Sequence, residues 1–257
     1  MSDCFSDGVV PWQEKLGLTR DAVRQALVTR QLSEHLPPPS SSIRVLDVGC
    51  GQGTQAIRLA RAGYSVVGID PADALLARAR QGAREMGVRL SLRPGTLEDP
   101  GPEVGAPFDV VCCHGVLMYL PDLRSAIARL VGLTRPGGLV SVLTRNRFGI
   151  AMRAGLSGDW DGALDGFDAR YYRNRLGIAD VRADEPADVV TAFRASGADV
   201  HAWYGVRLFT DHWRDEPTPE DLARLLDAEY EAGRRDPYRH VAALTHVIAR
   251  TRDSTRR

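Results

Sequence analysis

The chain has 257 residues, 44% hydrophobic and 26% charged, which is enough to bury a substantial core. Its 33 basic and 33 acidic residues cancel, so no global field draws it onto nucleic acid, although a local basic face stays open to it. No apolar stretch approaches the ~18 residues of a membrane span, and the head "MSDCFSDGVVPWQEKLG" lacks the basic flank and apolar middle of a signal peptide. Cys4, Cys50, Cys112 and Cys113 show no metal-ligand spacing, so reduced thiols in a cytoplasmic protein without a metal are the expectation.

In chain order, Val23, Ala26, Leu27 and Leu32 recur at helical spacing and predict a helix over residues 17–36. "PPPSSS" breaks it before an apolar strand at 43–48. A glycine loop, "GCGQG", leads into a helix from Thr54 that Gly63 stops, and "YSVVGID" is a second buried strand ending at Asp70. "PADALLARARQGAREMG" carries Pro71 in its first turn and Gly87 at its end, as a helix does. "VRLSLRPG" is a third strand, 110–113 a fourth that opens at His114, and "PDLRSAIARLVGLT" an amphipathic helix. "RPGGLVSVLT" turns into a fifth strand. Such alternation predicts a parallel sheet covered by helices on both faces.

Residues 146–184 are rich in Gly, Asp and Arg with weak periodicity and are expected to form a lid. Regular structure resumes with a helix at 186–196, a strand at 198–208, a helix at 219–234 and a strand at 241–249. The expected layout is a single domain. It has a helical cap at 1–40, a cofactor-binding half at 41–145, the lid at 146–184 and a half completing the sheet at 185–251.

The glycine loop raises the chemical question. A triphosphate loop needs a lysine and a hydroxyl after its glycines, and Gly53-Thr54-Gln55 has no lysine. A dinucleotide loop reads G-x-G-x-x-G, whereas the third glycine here comes one place early, at Gly49, Gly51 and Gly53. Asp47, two residues ahead of the first glycine, would repel a pyrophosphate but suit a cofactor with a cationic end. Asp70 at the tip of the second strand suits a ribose diol in either case, and would also serve as a helix cap.

At these residues the sequence resembles the class I S-adenosylmethionine-dependent methyltransferases. "VLDVGCGQG", "VVGIDPA", "GTLED", "FDVVCCHGVLMYL" and "LTRPGGLVSV" stand in family order at family-like intervals. The resemblance implies a Rossmann-like, seven-stranded, mostly parallel sheet with the last strand antiparallel. It places Gly49, Cys50 and Gly51 under the methionine part of S-adenosylmethionine, or of its product S-adenosylhomocysteine. Asp47 joins them in the cofactor site, with Asp70 on the ribose and Thr96 and Leu97 beside the adenine. Glu98 or Asp99 would lie near the adenine amino group, and His114 would face cofactor and acceptor; a purely structural histidine is the competing reading.

A closer likeness runs nearly end to end. "LGLTRDAVRQALVTRQL", "GIAMRAGLSGDWD", "WYGVRLFTDHWRD" and "EAGRRDPYRHVAALTHVIAR" are similar to the tRNA 5-carboxymethoxyuridine methyltransferases, which esterify the carboxylate of a modified wobble uridine. That likeness implies that Arg24 contacts the cofactor carboxylate and that Arg207 lies near the acceptor. A carboxylate is already nucleophilic at neutral pH, so catalysis reduces to placement and water exclusion. Arg207, Arg145 and Arg147 are candidates to orient it, Arg207 foremost, against the alternative of an ion-paired surface arginine. For RNA, Arg170, Arg173 and Arg175 interleave with Tyr171 and Tyr172. "RNRFG" and "GVLMYL" depart from the family pattern, which leaves a small-molecule methyltransferase of specialised metabolism, acting on a small carboxylic acid or another metabolite, as the alternative. A non-catalytic cofactor-binding module and a dehydrogenase are the competing classes, and oligomeric state has no sequence signal.

Overall fold

Local patterning dictates the layers seen in the computed structural model, which describes residues 19–101, 104–105, 107–173, 180–213 and 219–253. Helix α1 (Thr19–Ser33) precedes β1 (Arg44–Val48), α2 (Thr54–Ala62), β2 (Ser65–Asp70), α3 (Asp73–Glu85) and β3 (Ser91–Pro94). Next come β4 (Phe108–His114), a 3-10 turn at Leu117–Tyr119, α4 (Leu123–Gly132) and β5 (Thr134–Arg145). After them run α5 (Phe148–Leu156), α6 (Trp160–Gly166), β6 (Tyr171–Tyr172), β7 (Val181–Arg182) and α7 (Pro186–Ala195). The last elements are β8 (Ala198–Val206), α8 (Leu222–Arg234) and β9 (Leu244–Thr251).

Seven strands form one sheet in the order β3-β2-β1-β4-β5-β9-β8, and only β9 runs antiparallel to its neighbours. The expected architecture is therefore present. Strands buried on both faces read as apolar runs, and each alternates its side chains between two cores. Leu46, Val48, Val111, Cys113 and Val142 meet Ile127 and Leu130 of α4 and Val189 and Phe193 of α7. On the other face Val45, Val110, Cys112 and Leu139 meet Leu32 of α1 and Ala56 and Leu59 of α2. Val23 and Leu27 of α1 continue that face onto Tyr230 of α8.

Two segments differ from expectation. Within 146–184, where weak periodicity led only to the expectation of a lid, the described residues hold two helices and a ribbon. Asp159 accepts Gly162 N–H at 2.9 Å to start α6, and α5 and α6 approach closely at Gly166, where a Cβ would lie 2.8 Å from Ala151 Cα. Small residues here permit close helix packing, which a hydrophobic-period reading does not see. The final strand starts at Leu244, three residues later than expected, because Tyr238–Val241 form a 3-10 turn. That turn carries Arg239 over the Trp203 ring at 3.9 Å.

Topology places the site. Strand order reverses between β1 and β4, the position where open α/β sheets leave a crevice at the carboxyl ends of their strands. Because β9 reverses direction between β5 and β8, those two strands point the same way. Gly49, Asp70, His114, Arg145 and Arg207 thus all follow or end strands at one edge of the sheet.

Candidate active site

The glycine loop folds on itself. Gly49, Gly51 and Gly53 take φ of +67°, +55° and +82°, the left-handed region that favours glycine. Gly49 and Cys50 donate their N–H groups to Ile69 O at 2.8 and 3.0 Å, and Gly53 donates to Cys50 O at 2.9 Å. Gly51 N–H goes to Asp70 Oδ2 at 2.9 Å, while Asp70 Oδ1 accepts Ala72 N–H at 2.9 Å. These four amides are spent within the protein, so the turn presents none of them to a phosphate. Asp70 holds both the loop and the entry to α3, and its oxygens retain lone pairs for further donors.

Behind the loop the electrostatics are acidic. Asp47 is 3% exposed, and burial together with the neighbouring Asp70 carboxylate pushes it up to about 7. Burial also raises Asp70, against the two amide bonds that lower it. An acid-lined turn with internally spent amides disfavours pyrophosphate and fits a cation that carries hydroxyls. Cys50 is buried and its thiol is pushed far up by burial, so it is an inert filler. Thr96 is exposed and turns the chain by bonding Asp99, whereas Leu97 lies in the same buried core as Ile69. Glu98 and Asp99 are exposed.

Across the crevice His114 ends β4. Its Nε2 lies 2.8 Å from Ser141 Oγ, and burial plus the charge of Arg24 lower it to about 3, so the ring is neutral. Arg24, from α1, pairs with Asp21 at 2.7 Å. Its Nη1 also lies 3.7 Å from where a Gly115 Cβ would stand, which puts α1 over the end of β4.

The third group is basic. Arg145 at the end of β5 and Arg207 after β8 are 3% and 9% exposed, and both bind Asp211, at 3.1 Å through Nη1 and Nη2 respectively. Burial works to raise Asp211, but the two guanidinium groups overcome it and hold the carboxyl well below the usual range. Arg145 Nη2 also donates to Gly149 O at 3.0 Å, and the guanidinium lies 5.0 Å from the centre of the Tyr172 ring. The Nε of each arginine is buried without a hydrogen-bond partner among the described residues. Arg207 is thus ion-paired, as the alternative reading had it, but buried and not on the surface. Its φ of +61° is costly for a non-glycine residue. Glu229 of α8 explains how it is held: its carboxylate accepts the N–H groups of Leu208, Phe209 and Thr210 and the Thr210 hydroxyl, at 2.7–3.1 Å.

The remaining predicted residues separate. Arg147 pairs with Glu185 and donates to Ala169 O and Phe167 O, tying down the insertion. Tyr171, Arg170 and Arg173 are exposed, Tyr172 is half-buried beneath Arg145, and Arg175 lies outside the described residues, as do Cys4 and the 254–257 tail.

A family described as methyltransferase domain matches residues 45–138, the stretch from the glycine loop to the turn of β5. This stretch of the chain is a methyltransferase domain. This methyltransferase is 29% identical over 238 residues to the tRNA 5-carboxymethoxyuridine methyltransferase of Escherichia coli K12, covering 91% of this chain and 90% of that one. It is 40% identical over 109 residues to a ubiquinone biosynthesis O-methyltransferase of Xylella fastidiosa, but over only 42% and 44% of the two chains. Its fold matches a solved methyltransferase of Methanosarcina mazei (TM-score 0.61, 17% identity, 87% and 98% covered). It also matches the magnesium protoporphyrin IX methyltransferase of Synechocystis with bound S-adenosylhomocysteine (0.59, 16%, 93% and 92%). Among the described residues of the methyltransferase, no helix is long and apolar enough to cross a membrane.

Sequence reading missed Asp211, Glu229, Ser141, Gln31 and His246. Asp211 had a signal, since it follows Arg207 at i+4 within "VRLFTD". Glu229 had none, because an acid on an amphipathic helix ordinarily faces water.

Proposed function

We propose that the methyltransferase esterifies a carboxylate, and that this carboxylate is the carboxymethoxy group of a tRNA wobble uridine. The carrying observation is the Arg145–Asp211–Arg207 cluster: two buried guanidinium groups share one carboxylate, and each keeps an unpartnered Nε–H. Such an excess of buried donors and positive charge is stabilised by an incoming anion, and a planar carboxylate matches a guanidinium fork. The likeness to the E. coli tRNA enzyme supports the RNA parent because it spans both halves of the chain, including the segment that carries this cluster.

On the other side of the crevice Asp47, Gly49, Cys50, Gly51 and Asp70 suit S-adenosylmethionine. Asp70 takes the ribose hydroxyls, Thr96 and Leu97 border the base, and Arg24 takes the amino-acid carboxylate. When bound, the cofactor supplies an electrophilic methyl group. This chain's own contribution is orientation. Arg207 and Arg145 aim the acceptor oxygen, Tyr172 walls the site, and the neutral His114 leaves the carboxylate ionised. No base is needed. Exposed Tyr171 with Arg170 and Arg173 offers a stacking face and phosphate contacts for an anticodon loop.

Incubation with methyl-labelled cofactor and bulk tRNA should put label into RNA that survives protease and is released by mild alkali, as an ester is. Arg207→Ala should lower that turnover at least tenfold while leaving S-adenosylhomocysteine affinity nearly unchanged. Label confined to small carboxylic acids would overturn the tRNA assignment, and alkali-stable label would overturn the ester.

A further inference from the structure

We propose that Gln31, Ser141 and His246 are positioning residues that fix His114 as its Nε2–H tautomer, so that the ring offers Nδ1 to the site as a hydrogen-bond acceptor. This rests on the reading above that His114 borders the acceptor. The four side chains form a continuous hydrogen-bonded line from the partly buried His114 into the core. His114 Nε2 is 2.8 Å from Ser141 Oγ, Ser141 Oγ is 2.9 Å from His246 Nε2, and His246 Nδ1 is 2.8 Å from Gln31 Oε1. Gln31, Ser141 and His246 have no solvent exposure.

Proton positions along the line follow from one end. The Gln31 amide donates through Nε2 to Gly205 O at 3.4 Å, so its oxygen faces His246. Turning the amide over would set two carbonyl oxygens against each other. An amide oxygen only accepts, so His246 carries its proton on Nδ1. Burial keeps His246 neutral, so its Nε2 is a lone pair and takes the Ser141 hydroxyl proton. With that proton spent, Ser141 Oγ accepts from His114, which must carry its hydrogen on Nε2. The remaining lone pair is on Nδ1.

Strand alternation makes the line possible. Cys112 pairs with Ser141 and Leu143 with His246, which puts the β4, β5 and β9 members on the face covered by α1. Gln31 lies seven residues beyond Arg24, two helical turns along the same face. The contact that sets the tautomer therefore also holds α1, which carries Arg24 over the end of β4. A protonated ring here would pair with the acceptor carboxylate and blunt its oxygen. The fixed neutral tautomer keeps a proton off that side.

The test is imidazole 15N NMR on the full chain with its six histidines labelled, His114 being assigned from the His114→Asn spectrum. The wild type should show a protonated Nε2 and an unprotonated Nδ1 at His114. Ser141→Ala should abolish that preference and lower kcat with bulk tRNA about tenfold, with S-adenosylhomocysteine Kd within about twofold. Gln31→Leu, which removes the oxygen that accepts the His246 N–H, should also lose the tautomer. A wild-type His114 protonated on Nδ1, or an unchanged tautomer in Ser141→Ala, overturns the relay. The expected tautomer with unchanged turnover in Ser141→Ala overturns its role in positioning. The expected tautomer in a protein that labels no RNA overturns the tRNA reading alone.

Discussion

Asp70 illustrates how one side chain serves folding and ligand together. Its two oxygens each accept one backbone amide, Gly51 on the loop and Ala72 at the start of α3. In the proposed reading its remaining lone pairs take two ribose hydroxyls. Removing it costs both functions, so Asp70→Ala should raise the calorimetric Kd for S-adenosylhomocysteine about 100-fold, or ~2–3 kcal/mol. A change under threefold would remove Asp70 from the cofactor site. This residue was legible in the sequence because strand, acid and glycine loop are neighbours in the chain. Asp211 was legible only as a possible i+4 partner of Arg207, because its full meaning depends on Arg145, 66 residues away, arriving at the same carboxylate.

At the scale of elements, the segment after β8 is held by a helix and not by its own conformational preference. Arg207 sits at positive φ, and Glu229 of α8 gathers three consecutive amides and a hydroxyl just beyond it. Glu229→Gln replaces one acceptor oxygen with a donor facing those N–H groups. It should lower stability by about 2 kcal/mol in denaturant melts and reduce kcat, while S-adenosylhomocysteine binding holds. Loss of binding with intact kcat would sink this account. Strands and helices up to β5 were readable because each apolar run is bounded by Gly or Pro. α5 and α6 were not, since their contact rests on Gly166 against Ala151, and apolar periodicity does not register a close backbone approach.

For the molecule as a whole, the acidic floor beneath the glycine loop trades stability for charge. An unfolded aspartate titrates near 4, while in the fold burial and Asp70 raise Asp47 to about 7. The folded state therefore holds the proton more tightly between those values. The contribution of Asp47 is fully present below about pH 4 and is lost as pH rises through about 7. Asp47→Asn keeps an oxygen for the Ala56 N–H and has nothing to ionise. Its stability relative to wild type should grow from near zero at pH 4 to a few kcal/mol at pH 8, with weaker cofactor binding. A pH-independent difference in unfolding midpoints would contradict it.

The reversal of β9 has a consequence for biosynthesis. β8 reaches the sheet only through β9, which lies between it and β5. During translation β1 to β5 can pair as they emerge, but β8 must wait for a strand that is made after it. The edge that brings Arg207 to Arg145 is thus the last to assemble. A nascent chain arrested after β8 would hold the complete glycine loop without the neighbouring strands that bring Arg207 to Arg145.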